Sequence, residues 1–111
     1  MKILAIIPAR GGSKGIIGKN LFMINGKPLL YYTTSACLNS NLVNRTIVST
    51  NDTTISKVAK QIGAEVIMRP KSLSTDSSSI EPVLKHVLDY LENKEKYKPD
   101  IIILPQNTSP L

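Results

Sequence analysis

The chain is poor in the residues that build metal and redox centres. Among its 111 residues there is one cysteine, Cys37, and one histidine, His86. A single cysteine excludes an internal disulfide and an all-cysteine metal site, and a single histidine excludes a histidine-cluster site. Cys37 falls in a predicted helix, where the ordinary role is that of a small buried hydrophobe. His86 lies between core positions of another helix, and a structural role is expected over a catalytic one. Tryptophan is absent, and one phenylalanine and four tyrosines do not interleave with cations, so no stacking platform for nucleic acid is present. No apolar run approaches the roughly 20 residues that span a bilayer. The run behind Lys2 is only about five residues, too short for a secretion signal. A cytoplasmic protein that engages neither membrane nor nucleic acid is the expectation.

Negative charge is missing from the first 51 residues. They hold Lys2, Arg10, Lys14, Lys19, Lys27 and Arg45 without one Asp or Glu, whereas the remainder balances eight cations against eight carboxylates. The whole net charge of +6 is therefore N-terminal. Half of it sits in Arg10–Asn20, a stretch with four glycines and three cations. Glycines let amide N–H groups turn inward at backbone angles other residues resist, and cations add charge where those amides converge. A solvated surface loop has the same composition. The placement directly after the apolar run Ile3–Ile7 favours a cradle for a compact polyanion such as a nucleoside triphosphate.

What is present is a repeated alternation of strand and helix signals. Lys2–Pro8 predicts a buried strand. Leu21–Ile24 is a short extended piece, Asn25-Gly26 a turn, and Pro28 the first turn of a helix to about Asn39. Leu29, Tyr32, Thr33, Ala36 and Cys37 form that helix's expected inner face. Arg45–Ser49 is a second strand. Asp52 caps a helix carrying Ile55, Val58, Ala59 and Ile62 at helical spacing, and Gly63 stops it. Glu65–Met68 is a third strand, followed by a polar loop to Ser79. Asp76 or a neighbouring serine caps a helix striped by Ile80, Val83, Leu84, Val87, Leu88 and Leu91. Pro99-Asp100 introduces a fourth strand, Ile101–Leu104, before a polar turn.

This order predicts an α/β fold, a parallel sheet with helices on both faces. Ligands bind such sheets beyond the carboxyl ends of the strands. The glycine loop, the Ser49–Asp52 turn, the Arg69–Ser79 loop and the Gln106–Ser109 turn all fall there. Two common phosphate motifs are excluded by single positions. A P-loop ending at Gly18-Lys19 needs glycine at 13 and Ser or Thr at 20, where Ser13 and Asn20 stand, and the glycines do not give G-x-G-x-x-G. Asn20 can read a base or ribose edge or brace the loop. Arg69 can grip a phosphate or carboxylate, or be solvated. Asp52 is a cap first and a ligand second, and Ser77, Ser78 and Ser79 are capping residues of which one hydroxyl can face the pocket.

Ile7-Pro8-Ala9-Arg10-Gly11-Gly12-Ser13-Lys14-Gly15, followed by Lys19-Asn20-Leu21, resembles the opening motif of the acylneuraminate cytidylyltransferases. The resemblance continues through Val48-Ser49-Thr50-Asn51-Asp52, Gly63-Ala64-Glu65-Val66, and Arg69-Pro70 with Leu73–Ser78. It closes on Gln106-Asn107-Thr108-Ser109-Pro110-Leu111. Departures are the spacer at Ile17-Gly18, where the family usually has proline or another spacer, and Asn51-Asp52, where it has Asp-Asp or Asp-Ser.

The resemblance implies a Rossmann-like three-layer nucleotidyltransferase fold with a mostly parallel sheet, of which residues 1–111 are the N-terminal nucleotide-binding part. It implies transfer of CMP from CTP to an acidic nine-carbon sugar, with release of diphosphate. Ala9, Arg10, Gly11, Gly12, Ser13, Lys14, Lys19 and Asn20 then belong to the nucleotide site with Arg69 and Ser78. Arg10 and Lys14 are the catalytic candidates, Lys14 stabilising charge as diphosphate leaves. Gln106, Thr108 and Ser109 begin the sugar side. Mg²⁺ is implied as cofactor with its ligands beyond this chain, as is a homodimer at full length, so these 111 residues are expected to bind CTP weakly and turn over little alone. A Kdo-type cytidylyltransferase and a non-catalytic nucleotide-binding fragment are the alternatives.

Overall fold

The computed structural model describes residues 1–9, 23–70 and 80–105. In chain order the elements are β1 (Ile3–Pro8), β2 (Met23–Ile24), β3 (Lys27–Pro28), α1 (Leu29–Asn39), β4 (Arg45–Thr50), α2 (Thr53–Ile62), β5 (Glu65–Met68), α3 (Ile80–Glu95) and β6 (Ile101–Ile103). Four strands form a parallel sheet in the order β5-β4-β1-β6. Pro8 stands opposite Ser49, and Thr50 opposite Met68, so the carboxyl ends of β4 and β5 are level with the end of β1.

Alternation along β1 builds the three layers. Successive strand side chains point to opposite faces. Ala5, Ile7 and Ala9 pack with Leu30 and Cys37 of α1 and Ile55 and Ala59 of α2. Leu4 and Ile6 pack on the other face with Ile47, Ile67 and the α3 residues Val87 and Leu91. A strand covered on both faces has to be apolar at every position, and Leu4 to Ile7 are fully buried.

The helices follow their caps. Asp52 accepts from the Ile55 N–H at 2.9 Å and starts α2. Gly63 ends it at φ 114, where a side chain would be strained. Its N–H donates to Lys60 O, and the next, from Ala64, to Ala59 O, which closes the helix in a Schellman arrangement. In α3, Val83, Val87 and Leu91 form the buried line, with Leu84 and Leu88 half-buried beside it. Ile80, expected in that stripe, is exposed at the helix start.

Two expectations are corrected. Pro28 does not open the helix in helical conformation. It stands at φ −68, ψ 151 as the N-cap of α1 and pairs with Met23, so 23–28 is an antiparallel hairpin. Asn25 and Gly26, at φ 50 and 81, supply the left-handed pair that a two-residue hairpin turn requires. The inner face of α1 is Leu29, Leu30, Thr34 and Cys37, while Tyr32 and Ala36 are exposed. Leu29 to Leu38 is moderately apolar nearly all round, so apolar spacing alone did not select a face. The fourth strand expected at the end of the chain is β6, at the sheet edge, with Ile101 to Leu104 each exposed by more than a third. The expected cap at Asp76 or a serine lies outside the described residues.

The amino-terminal edge of the sheet is closed by polar ties. Ile3 N–H donates to Asn44 Oδ1 at 2.6 Å, and Lys2 N–H to Asp100 Oδ2 at 2.7 Å. Arg45, at the start of β4, holds Glu65 at the start of β5 in a two-pronged bond, its Nε lying 2.9 Å from Oε2. Its Nη1 reaches Glu95 of α3 at 2.9 Å, and its guanidinium lies 4.6 Å from the centre of the Tyr97 ring. The bond to Glu65 raises the Arg45 pKa, partial burial opposes that, and Glu95 adds to it, so the guanidinium stays ionised. Arg45→Met is expected to cost about 1–2 kcal/mol, because both glutamates can rehydrate, and to lower Tm by roughly 5–10 °C in a calorimetric scan.

Candidate functional site

The opposite edge is where polar groups are left over. The chain leaves β1 through α1 and α2 on one face to reach β4 and β5, then returns through α3 on the other face to β6. Strand order therefore reverses between β1 and β6. In open α/β sheets the crevice beyond the carboxyl ends at such a reversal is the ligand site. β1 ends at Pro8 and β6 at Ile103, and these two carboxyl ends, which flank that crevice, lead in the chain to the glycine-rich stretch and to Gln106–Ser109.

Two of the expected site residues are described. Ala9 is buried, and its N–H donates to Ser49 O at 2.9 Å, which carries the β1 ladder one residue past the strand. The last backbone position before the glycine stretch is thus fixed by the central sheet. Arg69 is 7% exposed, and its N–H donates to Thr50 O at 2.9 Å. A solvated arginine is excluded by that burial. Its strand is two places from β1, roughly 10 Å at the usual strand spacing, within the span of an extended arginine and a bound phosphate. A guanidinium at such a place is the planar, permanently charged group suited to oxyanions.

Arg10, Gly11, Gly12, Ser13, Lys14, Lys19, Asn20, Ser78, Gln106, Thr108 and Ser109 lie outside the described residues. Their chain positions are bounded by what is described: residues 10–22 run from Ala9 to the hairpin, and residues 71–79 from Pro70 to α3.

The turn after β4 separates structural from unassigned groups. Thr50 Oγ1 accepts from Asp52 N–H at 3.1 Å, and Asp52 is spent on capping α2. Ser49 is fully buried, and its Oγ has no hydrogen-bond partner among the described residues. It shares the α3-facing side of β4 with Ile47, and its singular burial could be anticipated only from the position of a hydroxyl at an inward strand site. Sequence reading also missed Tyr32, which it placed in the core. Its hydroxyl instead donates to Ile24 O at 2.5 Å.

Cys37 is buried, and burial pushes its thiol pKa up, which disfavours the nucleophilic thiolate. His86 is half-buried on α3. Among the described residues no three His, Cys, Asp or Glu side chains gather as a metal would need, so they do not by themselves fit a Mg²⁺ site. No described helix is long and apolar enough to cross a membrane.

Known proteins share this arrangement. A family profile described as Cytidylyltransferase matches residues 4–111. An N-acylneuraminate cytidylyltransferase of Escherichia coli O18:K1:H7 is 41% identical over 109 residues, covering 98% of this chain and 25% of its own length. A CMP-N,N'-diacetyllegionaminic acid synthase of Legionella pneumophila is 40% identical over 99% of this chain and 47% of its own. The solved structure of a CMP:2-keto-3-deoxy-manno-octonic acid synthetase complexed with CTP superimposes with a TM-score of 0.80 at 29% identity, over 99% of this chain and 42% of that one. The chain thus spans between a quarter and a half of the length of these relatives, in their N-terminal part. The sheet is that of the Rossmann-like nucleotidyltransferases, and the chain belongs to the cytidylyltransferase family.

Proposed function

We propose that residues 1–111 are the nucleotide-binding part of a cytidylyltransferase domain that activates an acidic nonulosonic sugar, joining CMP from CTP to an N-acylneuraminate or close relative and releasing diphosphate. The observation that carries this reading is the roughly 40% identity, across essentially the whole chain, to enzymes named for nonulosonic acids. Identity to the Kdo-type synthetase is lower, 29%, although its fold agrees closely and its structure holds CTP.

The chemistry fits the residue types at the carboxyl edge. Attack of the sugar's anomeric hydroxyl on the α-phosphorus forms one P–O bond and breaks the one to the diphosphate leaving group. The sugar hydroxyl loses its proton, and negative charge collects on the leaving oxygens. Such transfer needs positioning and neutralisation of charge rather than a covalent protein intermediate. Arg10, Ser13 and Lys14 with the Gly11 and Gly12 amides cradle the triphosphate in this reading, and Lys14 meets the charge on diphosphate. Lys19, Asn20, Arg69 and Ser78 complete the nucleotide side. Gln106, Thr108 and Ser109, which follow β6 in the chain, open the sugar side in this reading. Mg²⁺ would supply further neutralisation, and we place its ligands outside these residues. In the longer protein, further chain packs on the exposed β6 edge, and homodimerisation and a cytoplasmic setting, where CTP is made, belong to the same reading.

The test is direct. A form as long as its relatives, given Mg²⁺, CTP and N-acetylneuraminate, legionaminate or pseudaminate, is expected to release diphosphate with at least one of them. Release with none rejects the reading. In that form, Lys14→Ala is expected to reduce turnover by about 10²-fold or more, and an unchanged rate removes Lys14 from the chemistry.

A further inference from the structure

Asn25 and Gly26 form the tip of the β2–β3 hairpin, away from the carboxyl-edge crevice in the argument so far, and they carry a chemistry of their own. Of the asparagines in the chain, Asn25 alone precedes a glycine. The hairpin is held at its base, where Ile24 and Pro28 are half-buried and Pro28 runs straight into α1. Its tip lies outside that packing. Asn25, Gly26 and Lys27 are exposed, and a Cβ added at Gly26 would meet nothing within 4 Å. The ladder of a two-residue hairpin is closed by the residues flanking the turn, here Ile24 and Lys27, so the turn's own amides stand outside it.

The backbone at the tip is left-handed, with Asn25 at φ 50 and Gly26 at φ 81. Asparagine enters that region because its short amide side chain can lie against its own backbone. Asn25 Cγ and the Gly26 nitrogen are the two ends of a five-membered ring. A side chain at position 26 would crowd the closing of that ring, whereas glycine leaves it open, and the empty space around Gly26 admits water. Other described asparagines lack this combination. Asn39 and Asn93 lie in α1 and α3, and Asn44 Oδ1 is held by the Ile3 N–H at 2.6 Å.

We propose that the hairpin tip is a site of self-modification, at which Asn25 loses its side-chain amide without an enzyme. The Gly26 nitrogen gives up its proton and bonds to Cγ, the Cγ–Nδ2 bond breaks, and ammonia leaves with that proton. Water then opens the succinimide at either carbonyl, giving aspartate or isoaspartate, with nothing oxidised or reduced. Either product puts the first carboxylate into residues 1–51. The two differ in their effect on the fold. Aspartate keeps the length of the main chain and tolerates the left-handed turn. Isoaspartate routes the main chain through Cβ and lengthens the turn by one atom. The pairs Ile24↔Lys27 and Met23↔Pro28 then lose their register.

The whole chain is incubated at mildly alkaline pH and body temperature, and its peptides are followed by mass spectrometry. An isoaspartate-specific methyltransferase marks the isoaspartate. Conversion at Asn25 is expected to run at least about 10-fold faster than at any other asparagine, and to slow about 10-fold or more in Gly26→Ala. Alanine at φ 81 strains the turn, so Asn25→Asp is the second variant. It is expected to show no mass gain at residue 25 and to keep wild-type amide exchange at Ile24 and Lys27. The isoaspartate form, separated by chromatography, is expected to exchange those two amides about 5-fold faster or more. Similar conversion at several asparagines overturns the site, as does an unchanged Asn25 in the folded chain when the same chain in denaturant converts. Isoaspartate with wild-type exchange, or Asn25→Asp with equally fast exchange, overturns the effect on the turn.

Discussion

The pairing of β1 between β4 and β6 is the constraint on which the rest of the structure depends. A strand with a partner on each side and helices on each face has no position that tolerates a charge, and Leu4 to Ile7 obey that completely. Because the strand is parallel to both neighbours, every connection must cross a face of the sheet, and the helices deliver the two layers that bury it. The same arrangement gathers the strands' carboxyl ends at one edge. That edge receives the glycine-rich segment from β1, the Ser49–Asp52 turn from β4 and Arg69 from β5.

The two edges divide the charge accordingly. At the amino-terminal edge Arg45 is consumed by Glu65, Glu95 and the Tyr97 ring, and Lys2 also lies over that ring, 5.3 Å from its centre. Of the six N-terminal cations, Arg10, Lys14 and Lys19 follow β1 in the chain. A segment after β1 with three cations, four glycines and no carboxylate is suited to a polyanion.

Much of this was legible in the residues because the signals were local. Asp52 and Gly63 bracket α2 by chemistry that acts within four residues, and the apolar run of β1 has no reading other than burial. Harder features depend on partners distant in the chain. Nothing near Arg45 indicates Glu65 or Glu95, which are 20 and 50 residues away. The inner face of α1 shifted because Leu30, Thr34 and Cys37 have the same helical spacing as the face that was expected, and neighbouring residues are nearly as apolar. Tyr32 was misplaced for that reason, and its true role needed the Asn25-Gly26 hairpin to be folded back on the helix. Of the site, residue types and chain order were legible. The burial of Arg69 and of the Ser49 hydroxyl came only with the sheet register.

The central claim is that a nucleoside triphosphate binds at the carboxyl edge of this sheet, around β1. Backbone chemical-shift mapping of the chain titrated with CTP and Mg²⁺ tests it most directly. Shifts are expected to concentrate at Ala9 to Asn20, with Arg69 and Gln106, and to spare Arg45, Glu65 and Tyr97. Shifts centred on that opposite edge, or none at millimolar CTP, would contradict it.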